Sequence, residues 1–328
     1  MASLRDKAIF VFMFESLEVL DHVRLNFSHE GLLFLNLALA VIMFGVALSI
    51  KVNDFKKVIT KPKPTIIGYV SQFFFLPALT FLLILVIRPT PSVALGMIMV
   101  AACPGGNISN FLSSLAKGNT ALSVTMTALA TLSAIFMTPF NFSFWGGMYV
   151  RYYNNQGGAF LRPLEIEPMQ IFVTVFIILG IPVILGVFFA QYFPKLTKKI
   201  AKPLQRFSIF FFLVMVVIML KNNFHQFIDS IHIIFFIVFV HNALALGTGF
   251  SLASIFKLKR KDRRAISIET GIQNSGLALT LMFNPKIFPV DFELGGMAVI
   301  AGWWGIWHIV SGLIMATVWG QKPLDEES

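Results

Sequence analysis

The sequence predicts an all-α protein that crosses a membrane many times, and three observations lead to this fold class. The chain has 328 residues, of which 56% are hydrophobic and only 13% are charged. A soluble domain of this length carries about twice that charged fraction. The mean hydropathy is +0.78. Windows of about 18 or more mostly apolar residues follow one another, and this is the length that a helix needs to span a bilayer.

Nine apolar segments are long enough to be membrane spans. They are Gly31–Ile50, Thr65–Ile87, Ser92–Leu115, Thr120–Val150, Met169–Phe193, Phe207–Leu220, Ile231–Phe256, Ile266–Phe283 and Leu294–Trp319. Ala8–Leu20 is shorter than a full span and carries Glu15 and Glu18. It predicts either a helix at the membrane surface or a tenth span.

Basic residues in the predicted loops set the expected orientation. They concentrate in loop 51–64, in the turn at Lys117, in loops 194–206 and 257–264, and in the tail at Lys322. These five segments alternate strictly along the chain and carry eighteen basic residues, whereas the opposite loops carry five. The positive-inside rule therefore places these segments and the C-terminus in the cytoplasm. The net charge of +10 needs no nucleic acid partner, because no basic patch with exposed aromatic side chains accompanies it.

Two of the predicted spans are interrupted by polar, glycine-containing runs. The third span breaks at residues 104–107, Pro-Gly-Gly-Asn, and the eighth breaks at residues 271–274, Gly-Ile-Gln-Asn. The breaks occupy corresponding places in two halves, so we expect a first repeat at 1–166, a second at 167–320 and a tail at 321–328. With ten spans each half would hold five, an odd number, and the repeats would be inverted in the membrane. Paired interruptions point to a transporter's binding site, because the freed backbone groups need a cavity, an ion or a side chain.

The glycines at these breaks are expected to act as hinges. Gly105, Gly106 and Gly271 would let two half-helices meet and present free N–H and C=O groups, and a Cβ there would restrict the backbone. The alternative is that these glycines only allow helices to pack closely, as small residues often do in membranes.

Glu269 is the only acid inside an apolar segment of membrane length. The other fifteen acids lie in loops, in the N-terminal region or in the tail. A carboxylate at membrane depth costs about 2.5 kcal/mol or more. It is kept only with a partner, such as an ion, a proton or a buried polar network. Glu269 therefore indicates a membrane protein that moves something.

Polar side chains with oxygen atoms cluster around the two breaks. They are Gln72, Asn107, Ser109, Asn110, Ser123, Thr125, Thr127, Glu269, Thr270, Gln273, Asn274 and Ser275. Ser123 and Thr127 are four residues apart and so share a helix face. One carboxylate with hydroxyl and amide oxygens suits a weakly held monovalent cation and not zinc or copper. The alternative is that these side chains join helices by hydrogen bonds.

Histidine and cysteine add little to this pattern. His241-Asn242 and His308 lie in two later spans, and a lone membrane histidine is more often a packing or gating residue than a ligand. His308 is the better candidate, because the last span is expected to pack on the broken ones. Cys103 is the one cysteine, which excludes a disulfide framework and a Cys-rich metal site.

The motifs of common enzymes are absent. The chain contains no His-Glu-x-x-His, no Gly-x-Ser-x-Gly and no pair of membrane aspartates. One glutamate is a poor acid/base catalyst without a second titrating group. No phosphate-binding loop occurs, which argues against ATP-driven pumping by this chain alone. These observations leave coupling to an ion gradient or passive conduction.

The motifs around the breaks resemble those of the bile acid:sodium symporter family. They are Cys103–Asn110, Ala116–Ser123, Thr127, Glu269–Leu277 and Trp307-His308. The resemblance covers nearly the whole chain. It implies two inverted five-helix repeats that form a panel domain and a core domain, with two discontinuous helices crossing in the core. It also implies a bacterial homologue in the inner (plasma) membrane.

The resemblance implies two sodium sites and one substrate site. The first sodium site would be formed by Ser109, Asn110, Ser123, Thr127 and Glu269. The second would be formed by Gln72, Glu269 and Gln273, with the backbone carbonyls of Thr270 and Ile272. The substrate would lie by the crossing, near Asn107, Ile108, Asn274 and His308. There the N-termini of the half-helices offer N–H groups to an anion.

The expected function is a secondary active symporter that imports an organic anion with sodium by alternating access. The family includes carriers of bile acids, steroid sulfates, pyruvate and other small organic acids, and the sequence does not choose among them. One rival is a proton-coupled or arsenite/auxin-type carrier, in which Glu269 would titrate. The absence of a second membrane carboxylate argues against it. Another rival is a membrane sensor with the same fold, and the intact set of ion ligands argues against that.

Overall fold

The computed structural model of the chain describes residues 29–48, 50, 62–106, 108–156, 168–222, 224–284, 287–288 and 295–321. These residues form eleven helices and no strand. The helices are α1 His29–Ala47, α2 Pro62–Ile87, α3 Pro91–Ala102, α4 Ile108–Leu115, α5 Thr120–Asn155, α6 Pro168–Tyr192, α7 Pro194–Asn222, α8 Phe224–Ile255, α9 Arg260–Gly271, α10 Ser275–Met282 and α11 Gly295–Gln321.

The helices confirm the predicted all-α membrane protein. Among the described residues, five helical stretches are long and apolar enough to cross a bilayer, in α2, α5, α6, α8 and α11. Each of the nine predicted spans falls on one helix or on a broken pair. The predicted breaks are confirmed, because α3 and α4 are separated by residues 103–107, the first break, and α9 and α10 by residues 272–274, the second break. The segment Ala8–Leu20 and the predicted loop residues 51–61 lie outside the described residues.

The predicted loop at 194–206 is wrong, because this stretch is helical. Helix α7 begins at Pro194 and runs through the predicted loop into the predicted span Phe207–Leu220. Proline is well suited to the first helical position, where its missing N–H costs nothing. The lysines that follow are good helix formers. Basic composition therefore does not indicate an absence of helix here.

The helices pack in two groups. Helix α1 packs on α6 and α7, while α11 packs on α3, α4, α8 and α10. Helix α9 packs on α8, α4 and α5, and α5 also contacts α6. The first group is α1, α6 and α7. The half-helices beside the two breaks, α3, α4, α9 and α10, belong to the second group together with α5, α8 and α11.

Pro77 shows how the long helix α2 is adapted near the breaks. Proline has no N–H, so the carbonyl of Phe73, four residues earlier, loses its helical donor. Asn141 Nδ2 donates to that carbonyl at 3.0 Å. The turn before Pro77, Ser71–Phe75, is a π-helix, and it contains Gln72. Single π turns in α-helices are frequent at functional sites.

Two of the predicted cytoplasmic turns are built alike. Lys117 and Lys257 adopt left-handed backbone conformations, with φ values of 52° and 54°. In each turn the N–H of the next residue donates to the carbonyl five residues back, at 2.8 and 3.0 Å. This is the hydrogen bond of a Schellman motif, which ends a helix with its last carbonyls satisfied.

The turn at Lys117 lies against the start of α9, the helix that follows the turn at Lys257. Asn119 N–H donates to the carbonyl of Lys261 at 3.0 Å, and Asn119 Nδ2 donates to Asp262 Oδ1 at 2.7 Å. The guanidinium of Arg264 lies 5.9 Å from the ring centroid of Trp319, near the end of α11. Segments that the charge pattern assigns to one side of the membrane are thus neighbours in space.

Candidate functional site

The two breaks meet in a single antiparallel bridge between Gly105 and Gln273. The N–H of Gly106 donates to the carbonyl of Ile272 at 2.9 Å, and the N–H of Asn274 donates to the carbonyl of Pro104 at 2.8 Å. Backbone groups that lose their helical partners at one break are therefore satisfied by the other. Such pairing inside the protein is what non-helical backbone at membrane depth requires.

The carboxylate of Glu269 lies fully buried in the last turn of α9 and accepts hydrogen bonds from three hydroxyl groups. Ser109 Oγ donates to Oε2 at 2.5 Å, and Ser123 Oγ donates to the same oxygen at 3.0 Å. Thr127 Oγ1 donates to Oε1 at 2.7 Å. Among the described residues, no basic side chain pairs with this carboxylate. The negative charge is thus surrounded by neutral oxygen atoms.

The oxygens around Thr127 outnumber the hydrogens between them. Thr127 Oγ1 lies 2.7 Å from Glu269 Oε1, 3.0 Å from the carbonyl of Ser123 and 3.3 Å from Asn110 Oδ1. A hydroxyl carries one hydrogen and cannot satisfy three acceptors at once. A hard monovalent cation fits an oxygen-rich position of this kind. The structure thus brings together all five residues expected at the first sodium site.

A second chain of polar groups runs from α2 to the end of α9. Gln72 Nε2 donates to Gln273 Oε1 at 3.1 Å, and Gln273 Nε2 donates to the carbonyl of Thr270 at 2.8 Å. Gln72 Oε1 is buried and has no hydrogen-bond partner among the residues that the structure describes. An unsatisfied buried acceptor costs about 1–3 kcal/mol, and a cation beside it would remove that cost. The carbonyl of Ile272, also expected at the second site, accepts from Gly106.

The glycines at the breaks are needed for space and not for unusual dihedral angles. None of Gly105, Gly106 and Gly271 has a left-handed φ. A Cβ on Gly105 would lie 2.7 Å from Glu269 Oε1, and one on Gly271 would overlap the Leu246 side chain. A Cβ on Gly106 would find no atom closer than 3.8 Å. Close approach, the alternative to a hinge, therefore describes Gly105 and Gly271.

The residues expected around the substrate are only partly brought together. Asn107 lies outside the described residues, and Ile108 begins α4. Asn274 caps α10, since its Oδ1 accepts from the N–H of Leu277 at 3.0 Å. His308 is buried on α11. The half-helices α4 and α10 begin directly after the breaks, so the positive ends of both point at the crossing.

One contact at the second break was not predicted. Asn242 Nδ2 on α8 donates to the carbonyl of Gly271 at 2.8 Å, and Ser311 Oγ on α11 donates to Asn242 Oδ1 at 2.5 Å. The available signal was a polar pair, His241-Asn242, inside an apolar span. The histidine of that pair bonds elsewhere, to Thr80 Oγ1 at 2.8 Å.

The family model of the sodium bile acid symporter family matches residues 36–230, more than half of the chain. The chain belongs to this family. The uncharacterized sodium-dependent transporter YocS of Bacillus subtilis is 31% identical over 289 residues, which cover 88% of this chain and 84% of YocS. Sodium/bile acid cotransporter 4 of Mus musculus is 31% identical over 278 residues, covering 81% of this chain. The probable chloroplastic sodium/metabolite cotransporter BASS1 of Oryza sativa subsp. japonica is 28% identical over 286 residues, covering 87%.

The matches confirm the resemblance seen in the motifs and place the chain among sodium-dependent membrane transporters. They also support the expectation that it is not an enzyme. The chain spans 61% of the mouse protein and 65% of the rice protein, so each of these is longer than the region it shares with this chain.

Proposed function

We propose that this protein is a symporter that imports an organic anion together with sodium by alternating access. The observation that carries the proposal is the environment of Glu269, a buried carboxylate among neutral oxygens without a basic partner in the described chain. A charge in such a place is stable when a counter-ion joins it. Membership of a family of sodium-dependent transporters makes sodium the ion of choice.

Two sodium ions would share Glu269. The first would lie among Ser109, Asn110, Ser123, Thr127 and Glu269, where acceptors exceed hydrogens. The second would lie between Gln72, Gln273, Glu269 and the carbonyls of Thr270 and Ile272. The unpartnered Gln72 Oε1 supports this second position. Because both ions would use one carboxylate, their binding is expected to be coupled.

The substrate would be an organic anion at the crossing. The N-termini of α4 and α10 direct their positive ends there, and the proposed contacts are Asn107, Ile108, Asn274 and His308. A bile-acid-like molecule and a small organic acid both have the anionic group that this position favours.

Alternating access would move the two groups of helices past each other. Helices α1, α6 and α7 would form the panel and the helices around the crossing the core, drawn from inverted repeats at 1–166 and 167–320. We place the protein in the bacterial inner membrane with the C-terminal tail, 321–328, in the cytoplasm. The contact between the turns at Asn119 and Lys261 supports a common side for the basic segments.

Thermal unfolding of the purified protein in matched sodium, potassium and choline chloride tests the proposal. Sodium should raise the melting temperature, because a ligand at a hundredfold excess over its Kd stabilises the folded state by about 2.7 kcal/mol. Equal melting temperatures in the three salts would overturn the proposal. Stabilisation that follows pH and not sodium would indicate a proton-coupled carrier. Sodium binding without substrate uptake into proteoliposomes would indicate a sensor.

A further inference from the structure

A short hydrogen-bonded strut joins α8 and α11 to the end of α9. Its central residue is Asn242, which is 1% exposed. Asn242 Nδ2 donates to the carbonyl of Gly271 at 2.8 Å, and Asn242 Oδ1 accepts from Ser311 Oγ at 2.5 Å. The hydroxyl of Ser311 also lies 3.2 Å from the carbonyl of His308. We call Asn242 and Ser311 the Asn242 strut.

The chemistry of the partners fixes the orientation of the Asn242 amide. A backbone carbonyl can only accept, so the NH₂ group of Asn242 must face Gly271. A flipped amide would place two oxygen atoms against each other and leave the carbonyl of Gly271 without this donor. The strut therefore has one stable arrangement.

The carbonyl that the strut holds is one that the helix leaves free. Gly271 is the last residue of α9, so no later turn supplies a donor for it. Ile272 has an extended backbone, with φ −108° and ψ 94°. Successive carbonyls of extended backbone point to opposite sides. With the carbonyl of Gly271 drawn towards α8, that of Ile272 turns the other way, where it accepts from Gly106.

We infer that Asn242 is a positioning residue for sodium binding, acting with Ser311 on the peptide plane of Gly271. That plane lies between the carbonyls of Thr270 and Ile272, which the second proposed sodium site uses. The inference rests on the proposed function and adds to it a residue that contacts Gly271, just before the second break, without contacting Glu269. Loss of the strut leaves the carbonyl of Gly271 without this donor and frees the backbone on both sides of it.

A sodium titration of the melting temperature tests the strut, with sodium chloride as the sole ligand and choline chloride holding the ionic strength constant. The rise of the melting temperature with sodium concentration gives an apparent Kd, the concentration at which half of the folded protein holds sodium, and we call it the sodium midpoint. In Asn242→Leu, this midpoint should rise about fivefold, the effect of one hydrogen bond. Ser311→Ala should shift the midpoint in the same direction by less. The double variant should not exceed Asn242→Leu, because the two residues act through one chain of contacts. The control is Thr248→Val on the same helix, whose hydroxyl donates to the carbonyl of Leu244 in the preceding turn, and it should leave the midpoint unchanged.

The possible outcomes separate the strut from the proposed function. If sodium does not stabilise the unmodified protein, both are overturned. If sodium stabilises the unmodified protein and Asn242→Leu with the same midpoint, while the ligand-free melting temperature falls, Asn242 only packs helices and the strut alone is overturned. If Asn242→Leu does not fold, Ser311→Ala decides, and an unchanged midpoint there would overturn the inference.

Discussion

The first and second breaks meet in one bridge, yet they are built from different kinds of residue. The described part of the first break contains Cys103, Pro104, Gly105 and Gly106, and it meets the second break through backbone groups. The second break begins three residues after Glu269 and carries two amide side chains of its own, Gln273 and Asn274. It also receives Gln72 from α2, while Asn242 from α8 reaches the residue just before it. The first break therefore leaves room beside Glu269, and the second carries Gln273, a proposed ligand, and is held by its neighbours.

This division has a consequence for ion binding. The negative charge comes from the second half of the chain, and the three hydroxyls around it come from α4 and α5 in the first half. Neither half alone contains all the residues of the first proposed site. An ion bound between them would favour the assembled core over any state in which the halves separate, because it binds only the assembled arrangement.

The largest expected effect follows from removing the charge at the second break. In Glu269→Gln, sodium-dependent uptake into proteoliposomes should fall about 100-fold or more, since the loss of one partner of a buried ion pair costs about 3 kcal/mol or more. The variant should still fold, because glutamine keeps the size of the side chain, its amide oxygen can accept from hydroxyls on one side and its NH₂ group can donate to a hydroxyl on the other. Uptake close to that of the unmodified protein would assign Glu269 a structural role and contradict the proposal that its charge binds sodium.

The next effect tests the claim that the first break supplies room. In Gly105→Ala, the new Cβ would lie 2.7 Å from Glu269 Oε1, so the carboxylate must shift. Overpacking costs about 1–3 kcal/mol, and the sodium midpoint should rise about tenfold. Gly106→Ala is the matched control, because the atom nearest to its new Cβ would be 3.8 Å away, an ordinary van der Waals contact. Equal midpoints in the two variants would show that the first break does not shape the site.

The sequence predicted most of the fold, and it predicted the residue types around Glu269 but not all of their contacts. Apolar length predicted the spans, and the polar runs predicted both breaks, because composition reports directly on membrane depth. The oxygen cluster around Glu269 was predictable in residue type, and the family motifs named Ser109 and Thr127. The prediction of a loop at 194–206 was wrong, because lysine is compatible with a helix and composition does not distinguish a basic loop from a basic helix.

Contacts that depend on tertiary packing were not predictable. No local pattern shows that Asn141 satisfies the carbonyl freed by Pro77, or that Asn242 reaches Gly271, because each pair is distant in sequence. The role of Gly105 also required the structure. A glycine in a break suggests a hinge. Only the position of Glu269 shows that Gly105 is needed because a Cβ there would not fit.

A smaller effect concerns the amide that α2 brings to the second break. In Gln72→Met, the side chain keeps its length but loses the unpartnered Oε1 and the bond to Gln273. One neutral ligand contributes less than a charge, so the sodium midpoint should rise about tenfold or less. Ser71→Ala is the neighbouring control, because its hydroxyl bonds to the side chain of Thr270 and not to a carbonyl. A larger shift in Ser71→Ala than in Gln72→Met would contradict the proposed second site.

The smallest expected change in the sodium midpoint concerns the far end of α4, the half-helix after the first break. The buried Arg264 Nη1 donates to the carbonyl of Ala116 at 2.7 Å, just beyond the end of α4 and at the opposite end from Ser109. In Arg264→Met, the loss of a charged hydrogen bond should lower stability by about 1–3 kcal/mol. The ligand-free melting temperature should therefore fall, while the sodium midpoint stays unchanged. The lysine variant, Arg264→Lys, keeps the charge near the negative end of α4 and should lose less stability. A sodium midpoint that rises as far in Arg264→Met as in Gln72→Met would show that the sodium site depends on the whole of α4.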